Sequence, residues 1–565
     1  MPGQAGPPTG RWEHVTGAHR AGVDVSRRAA YLASYALFEA VQSEQHAAAL
    51  AALPAARVSA QARGWPEVTV VLDAAAAVHA ITRPGTAGGP GLLPGDLDAL
   101  VDRATELEAP ALLAIVLGLR ALAASSVGDT ARLMADASRA VALLDDDDQP
   151  PLDRCTGYLV VGAAFNTLRL WELVDELYTR ASDLEPLCDG PAQSAAIAAN
   201  RVLTKVEWAV ALLENGDEAA AGERLDQAVA AVPHALTQAL PPLWRRDVEA
   251  LAVVAGLLTG AAPDTAALAD LRQVLADDAD IEVLPLLDAA TALALSRTGQ
   301  AAAAAVAADR LAPASSASSG ARSFPLWVRA QVLSGPAPSA AVQAQQDHAA
   351  LLGRLRWESR LAVLVAARTQ IAAERRRGEH DRLSHAVNTD PLTGLHNRRT
   401  FDAWLDRRTP SRQRPTALLL VDLDDFKAVN DTHGHDYGDE VLRRFGRLLL
   451  AAVRPGDLAV RHGGDEFAIL LEDEHLTLAA AQQRAADLVA AIEAEPWSEI
   501  VDGLVVGASI GMAVATEPAD QASARPVDAA RLYRAADAAL YKAKRDGSVL
   551  VVDTTPHLRG LADAG

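Results

Sequence analysis

Aromatic residues are scarce in this sequence, at 4% of 565 residues, and cysteine is nearly missing, with only Cys155 and Cys188. Two cysteines in so long a chain cannot build a disulfide framework, which excludes the small disulfide-stapled scaffolds; both are expected as small buried hydrophobes. Positive charge is short as well. Lys and Arg number 52 against 73 Asp and Glu, a formal net charge of −21. A broad nucleic-acid surface is thereby excluded, because phosphate backbones want the opposite sign. Long apolar runs are missing too. Ala109 to Leu119, among the longest, stops at Arg120, short of the ~18 residues of a membrane span. The opening MPGQAGPPTGRWEH has no basic-then-apolar signal pattern. A cytoplasmic chain without membrane or nucleic-acid partners is expected.

What is present argues for folded domains. Half of the residues are hydrophobic, and the length calls for two or more cores. Residues 1–25 read as a flexible tail. Over residues 26–338 apolar positions recur at three- and four-residue spacing, the period of helices. Turn signals interrupt them at Gly128-Asp129, Asn215-Gly216-Asp217, Gly260 to Pro263 and Thr298-Gly299-Gln300, and the gaps between successive helical hairpins, roughly forty residues, suit helical repeats. In Ala195 to Val232, one helix through Val206, Trp208 and Leu212 is followed by an Asn-Gly-Asp turn and a second helix through Leu225 and Val229. This unit resembles a tetratricopeptide-type hairpin. An all-α helical-repeat solenoid follows, either a sensor whose concave face takes a protein, peptide or small ligand, or a purely architectural module. Asp145 to Asp148 is expected as a solvated loop, since adjacent acids without a glycine turn make no calcium loop.

Ser334-Gly335-Pro336-Ala337-Pro338 marks a boundary. Residues 339–388 then read as a connecting segment of one or two long helices through Leu352, Leu355, Leu361, Leu364, Ile371 and Leu383. Its heptads are imperfect, so it is either a pairing element in a dimer or a rigid spacer. From residue 389 to 557 strands and helices alternate, which predicts one compact α/β domain; residues 558–565 form a closing tail. Strands are expected at Thr416 to Asp422, Leu504 to Ala515 and Val549 to Val552. Helices are expected at Gly438 to Arg454, Leu476 to Glu495 and Ala529 to Lys544, with a β-hairpin over Leu458 to Leu471.

The tip of that hairpin, Arg461-His462-Gly463-Gly464-Asp465-Glu466-Phe467, presents two acids after two glycines. The glycines suit a turn with close ligand approach. The buried strand Ala417 to Val421 also ends in acids, Asp422-Leu423-Asp424-Asp425. If Asp422 lies beside Asp465, the pair forms an all-oxygen site for a hard cation such as Mg²⁺. Such a cation keeps part of its shell for phosphates, which points to a nucleoside triphosphate and phosphoryl or nucleotidyl transfer.

Six linked segments then resemble the GGDEF-domain diguanylate cyclases: Asp390 to Arg399 (DPLTGLHNRR), Asp422 to Asp431 (DLDDFKAVND), Gly438-Asp439, RHGGDEF, Ser509-Ile510-Gly511 and Asp537 to Gly547 (DAALYKAKRDG). The resemblance covers about residues 389–553. It implies an adenylyl-cyclase-like palm that condenses two GTP into cyclic di-GMP, with two domains facing each other in a homodimer. It further implies that Asp422, the Leu423 carbonyl and Asp465 hold Mg²⁺ or Mn²⁺, with Asp465 as base and Glu466 assisting. Phe426, Lys427, Gly463, Gly464 and Lys544 would contact substrate, the lysines through phosphate. Asn430 and Asp439 would read guanine, whose N1–H and N2–H₂ donate to a carboxylate where adenine would oppose it with a lone pair. Where the family usually carries an arginine after the phosphate lysine, this chain has Ser548.

Arg454 and Asp457 match the family's RxxD inhibitory motif, which binds the product; Arg484 is a further candidate there. His433 and His435 flank Gly434, but with no cysteine nearby they are not expected to bind zinc. No EAL-type phosphodiesterase segment is expected. The alternatives are a catalytically silent cyclic di-GMP receptor and a scaffold acting through the repeats.

Overall fold

The computed structural model describes residues 26–43, 45–82, 94–190, 193–276, 283–311, 323–334, 339–406, 415–454, 456–473, 475–515 and 529–553. The expected tails at 1–25 and 558–565, and Gly335 to Pro338 of the expected boundary, lie outside them. The chain forms two compact units, Met1–Gly378 and Glu379–Gly565.

Among the described residues the first unit is entirely helical. Its Gly-Asp turn signals work as helix starts. The Asp129 carboxylate accepts from Arg132 N and that of Asp217 from Ala220 N, satisfying donors the helix leaves open. Helix α1 (Pro110–Ser126) packs on both α2 (Thr130–Leu144) and α3 (Pro151–Thr167); α3 packs on α4 (Trp171–Leu184), and α5 (Ser194–Glu214) on α6 (Glu218–Thr237). Cys155 is fully buried and Cys188 half-buried, and each thiol donates to a helical carbonyl.

The connecting segment is a single helix, α7 (Ala340–Asn388), and the division between units falls within it. Its middle is docked on the first unit. Leu364, Ala367 and Ile371 join that unit's core. Arg360 is buried between the rings of Trp171 and Trp357 and makes paired bonds to Glu172 at 2.7 and 2.8 Å. A guanidinium tolerates this burial because its fork meets a carboxylate while its flat faces meet aromatic rings. The Asp145 to Asp148 loop is only partly solvated: Asp147 is exposed, while Asp145 takes Arg180 and Arg375.

The second unit is built on a six-stranded sheet in the order β1-β3-β4-β2-β5-β6. The strands are β1 (His396–Asn397), β2 (Thr416–Leu423), β3 (Leu458–Gly463), β4 (Glu466–Glu472), β5 (Ala508–Ala515) and β6 (Leu550–Asp553). Central β2 runs antiparallel to both β4 and β5 and is buried at every residue. Its unbroken apolar run follows from cover on both faces. Ala417, Leu419, Val421 and Leu423 meet α10 (His435–Ala452) and α11 (Leu478–Ala494), whereas Leu418 and Leu420 meet α8 (Arg398–Leu405) and α12 (Ala529–Asp546). Helix α9 (Phe426–His433) follows β2 directly.

Helix α12 lies so close to β5 that only glycine fits between them. A Cβ on Gly511 would stand 2.1 Å from Leu540 N and 2.3 Å from Ala536 O. That approach carries the last turn of α12, with Lys544, to the carboxyl end of β2.

Candidate active site

The acids gather where β2 ends. Asp422 stands in register between Glu466 of β4 and Ser509 of β5. The next residue fastens the hairpin, with Leu423 N donating to Asp465 O at 3.2 Å. Asp422, Leu423, Asp465 and Glu466, read from two distant motifs, are thus brought to one end of the sheet. The two-residue turn is Gly464-Asp465, because Gly463 still pairs with Glu466 in β3. Gly464 alone takes a positive φ, +56°, as glycine does at the first central position of a type II′ turn. The turn therefore begins one residue later than Gly463-Gly464, and Asp465 is part of it. A Cβ at either glycine would meet nothing within 4 Å; the space beside the tip is open.

Burial pushes the Asp422 carboxyl above the usual carboxylate range. Lys544 opposes that shift, while the charges of Asp465 and Glu466 add to it. Lys544 Nζ lies 2.6 Å from Asp422 Oδ2, so this lysine sits on the expected cation ligand, where the sequence pointed it to phosphate. The observation tests the donor set: its oxygens gather negative charge and already accept one cation. The residues present fit a hard divalent ion. Among the described residues no group of three or more His, Cys, Asp or Glu is placed to hold a metal. A carbonyl, water or substrate phosphate has to complete any such shell.

Two residues with no assigned role hold the tip. Arg461 donates to Gly464 O from Nε at 3.0 Å and from Nη2 at 2.8 Å, and its Nη1 reaches Asp390 at 3.1 Å. Asp390 also accepts from the backbone and hydroxyl of Thr393. Against the burial that would raise it, these bonds hold its carboxyl below the ordinary range. Asp424 is a further positioning acid, since it accepts from Ser509 Oγ at 2.7 Å. Membership of the quoted segments was the only sequence signal for all three.

Asn430 and Asp439 lie on α9 and α10. Gly438 joins them: a Cβ there would fall 1.9 Å from Asn430 Oδ1 and 3.3 Å from the Phe426 ring. The missing side chain is what seats Asn430 beside the residue preceding Asp439. Asp425 starts α9 at φ +53°, a conformation costly for most residues but tolerated by Asp, and strain of this kind clusters at ligand sites. Lys427 is exposed.

Arg454 and Asp457 lie on the turn between α10 and β3. The Asp457 carboxylate accepts from Arg454 N at 2.9 Å and from Arg484 at 2.5 Å, and Arg484 also donates to Ala452 O. The Arg454 side chain is exposed. Ser548 N closes the end of α12 on Ala543 O.

Residues 387–549 match a family model described as Diguanylate cyclase, GGDEF domain. Over 200 residues the chain is 36% identical to the response regulator PleD of Caulobacter vibrioides, covering 33% of this chain and 42% of that one. It is 40% identical over 187 residues to an uncharacterized protein of the hutH 5′ region of Streptomyces griseus, covering 30% of this chain and 71% of that one. Diguanylate cyclase DosC of Escherichia coli is 36% identical over 169 residues, with 34% of its length covered. The chain therefore spans well under half the length of PleD and DosC. Among solved structures, the coiled coil and GGDEF domain of DgcB from Caulobacter crescentus in complex with c-di-GMP matches at 27% identity and a TM-score of 0.29, over 35% of this chain and 99% of that one.

Proposed function

We propose that this chain, which belongs to the GGDEF family through residues 387–549, condenses two GTP into cyclic di-GMP and two pyrophosphates. The observation that carries the reading is the gathering of Asp422, Leu423, Asp465 and Glu466 at the end of β2, beside open space at the hairpin tip. Asp422, the Leu423 carbonyl and Asp465 would hold Mg²⁺ or Mn²⁺, which when bound supplies charge neutralisation at phosphate and acidifies a nearby hydroxyl. Asp465 takes the proton of a 3′-hydroxyl, with Glu466 beside it. The freed oxygen bonds to the α-phosphorus of the other GTP as the bond to pyrophosphate breaks, and a second such step closes the ring. Each domain holds one GTP, so two copies must face each other, and bringing the reactants together is itself a large part of the rate.

Asn430 and Asp439 orient guanine, and Phe426, Gly463 and Gly464 shape the pocket. Lys427 reaches phosphate from α9. Lys544 serves phosphate after exchanging its present partner Asp422 for substrate. Incubation of the purified chain with GTP and Mg²⁺, followed by chromatography, is expected to yield cyclic di-GMP. No product under conditions where the chain is dimeric overturns the enzyme reading; retained cyclic di-GMP binding without turnover would favour a receptor.

Gly438→Ala is expected to raise the KM for GTP about tenfold or more, because the new methyl displaces Asn430, and a lost polar contact to a base is worth roughly 1–3 kcal/mol. An unchanged KM would remove Asn430 from guanine recognition.

Arg454 and Asp457 form the product-inhibition site of this reading. Their exposed guanidinium beside an acid clamped by Arg484 suits phosphate and guanine. Arg454→Ala is expected to weaken inhibition by cyclic di-GMP about tenfold or more, with the initial rate unaffected. Inhibition at the parent concentration would refute the assignment.

The helical unit is the regulatory input, a repeat solenoid open to a protein, peptide or small ligand. Successive hairpins packed on one another, as α1 on α3, support that architecture.

A further inference from the structure

The first unit contains a cavity of about 170 Å³ where α7 lies over α3 and α4. Its floor is apolar: Phe165, Leu173, Leu177 and Ile371 line it and are all buried. Its rim is cationic. Arg180, Arg368 and Arg375 border the cavity together with Glu176. Arg180 and Arg375 share one carboxylate, Asp145, each at 2.6 Å, and Arg368 pairs with Glu176. Three guanidiniums face two carboxylates, so the mouth carries one uncompensated positive charge.

Fold stability does not account for this ring. The three arginines keep 43%, 51% and 44% of their side-chain surface exposed, and exposed ion pairs contribute at most about 1 kcal/mol each. Buried apolar floor under a cationic mouth is instead the arrangement that accommodates an amphipathic anion. Size and charge narrow the class. An engineered apolar cavity of about 150 Å³ holds benzene, so this one takes a body of one ring or a short chain. One excess positive charge is closed by a monoanion and overshot by a dianion. Paired guanidinium donors match a planar carboxylate.

We propose that this cavity binds a small monocarboxylate, its apolar body on Phe165, Leu173, Leu177 and Ile371 and its carboxylate at Arg368 and Arg375. Ile371, Arg368 and Arg375 belong to α7, whereas the rest of the lining belongs to α2, α3 and α4. The bound molecule therefore bridges α7 to the helices beneath it and tightens the seat of residues 364–375. Because α7 continues to Asn388, occupancy acts on the helix that leads into the second unit.

The test is calorimetry on the full chain with octanoate and phenylacetate, with octanol as the body without the charge and inorganic phosphate as the charge without the body. At least one carboxylate is expected to bind saturably, more tightly than octanol or phosphate. Arg368→Glu, at a half-exposed position, is expected to keep the parent melting temperature while weakening carboxylate binding at least about tenfold, the scale of a lost charge-assisted bond. Hydrogen exchange of amides 364–375 is expected to slow at saturation. Octanol binding as tightly as octanoate overturns the anion assignment, and phosphate binding as tightly overturns the apolar one. No saturable binding by either carboxylate, an indifferent Arg368→Glu, or unchanged exchange over 364–375 overturns the proposal as a whole.

Discussion

Asp422→Asn is expected to lower cyclic di-GMP formation by about 10²–10³-fold without unfolding the second unit. Asparagine keeps the shape of a side chain that β2 holds between β4 and β5. It removes the negative charge on which Lys544 now sits and on which a divalent ion would depend. Such an ion contributes several kcal/mol to a phosphoryl-type transition state, and each 1.36 kcal/mol is a factor of about ten in rate. Removing one of two carboxylate ligands puts much of that contribution at stake. Initial rates across a Mg²⁺ titration, with a melting curve on the same sample, separate loss of chemistry from loss of fold. A rate within tenfold of the parent at saturating Mg²⁺, with the fold intact, would take Asp422 out of the cation site. The substitution also relaxes burial of a charge, since the carboxyl is already driven above its ordinary range, so a melting temperature equal to or above that of the parent is expected.

Gly511→Ala is expected to destabilise the second unit by about 3 kcal/mol or more, the upper part of the range for overpacked cores. The severity comes from the identity of the neighbours. The added methyl would meet backbone atoms of α12, Leu540 N at 2.1 Å and Ala536 O at 2.3 Å. No rotamer change relieves a clash with helical backbone, so α12 must lift from β5 as a body. That movement also withdraws Lys544 from Asp422. Urea unfolding followed by hydrogen exchange of the β2 and β5 amides reports on this unit alone, which matters in a chain of two units. A loss below about 1 kcal/mol would show that α12 can slide over the sheet without cost.

Much of the second unit was legible because its signals are local. The unbroken apolar run of Ala417 to Val421 announces a strand covered on both faces. The segment from Leu458 to Leu471 reads as a hairpin, with strands Leu458–Gly463 and Glu466–Glu472. Expected helices such as Leu476 to Glu495 lie within a few residues of those observed. The turn itself was misplaced by one residue, since two consecutive glycines leave open which of them takes the positive φ. Pairing of Gly463 with Glu466 decides it.

Contacts between side chains far apart in sequence were not legible. Lys544 on Asp422, Arg461 on Asp390 and Arg484 on Asp457 each join different elements, and local periodicity carries no information about them. The docking of α7 belongs to the same class. Its imperfect heptads left both pairing and spacing open, and only the packed structure shows Leu364, Ala367 and Ile371 in a core with Arg360 clasped by Glu172.

By itself, then, the sequence determined the helical character of the first unit, the α/β character of the second and the chemistry-bearing segments of the GGDEF motif, because hydrophobic period and residue type act over a few residues. Tertiary structure decided which oxygen each cation meets, where α7 rests and that a cationic mouth lies over an apolar floor. Those depend on elements packed from distant parts of the chain, where one ångström of approach, as at Gly438 and Gly511, separates a formed site from a disrupted one.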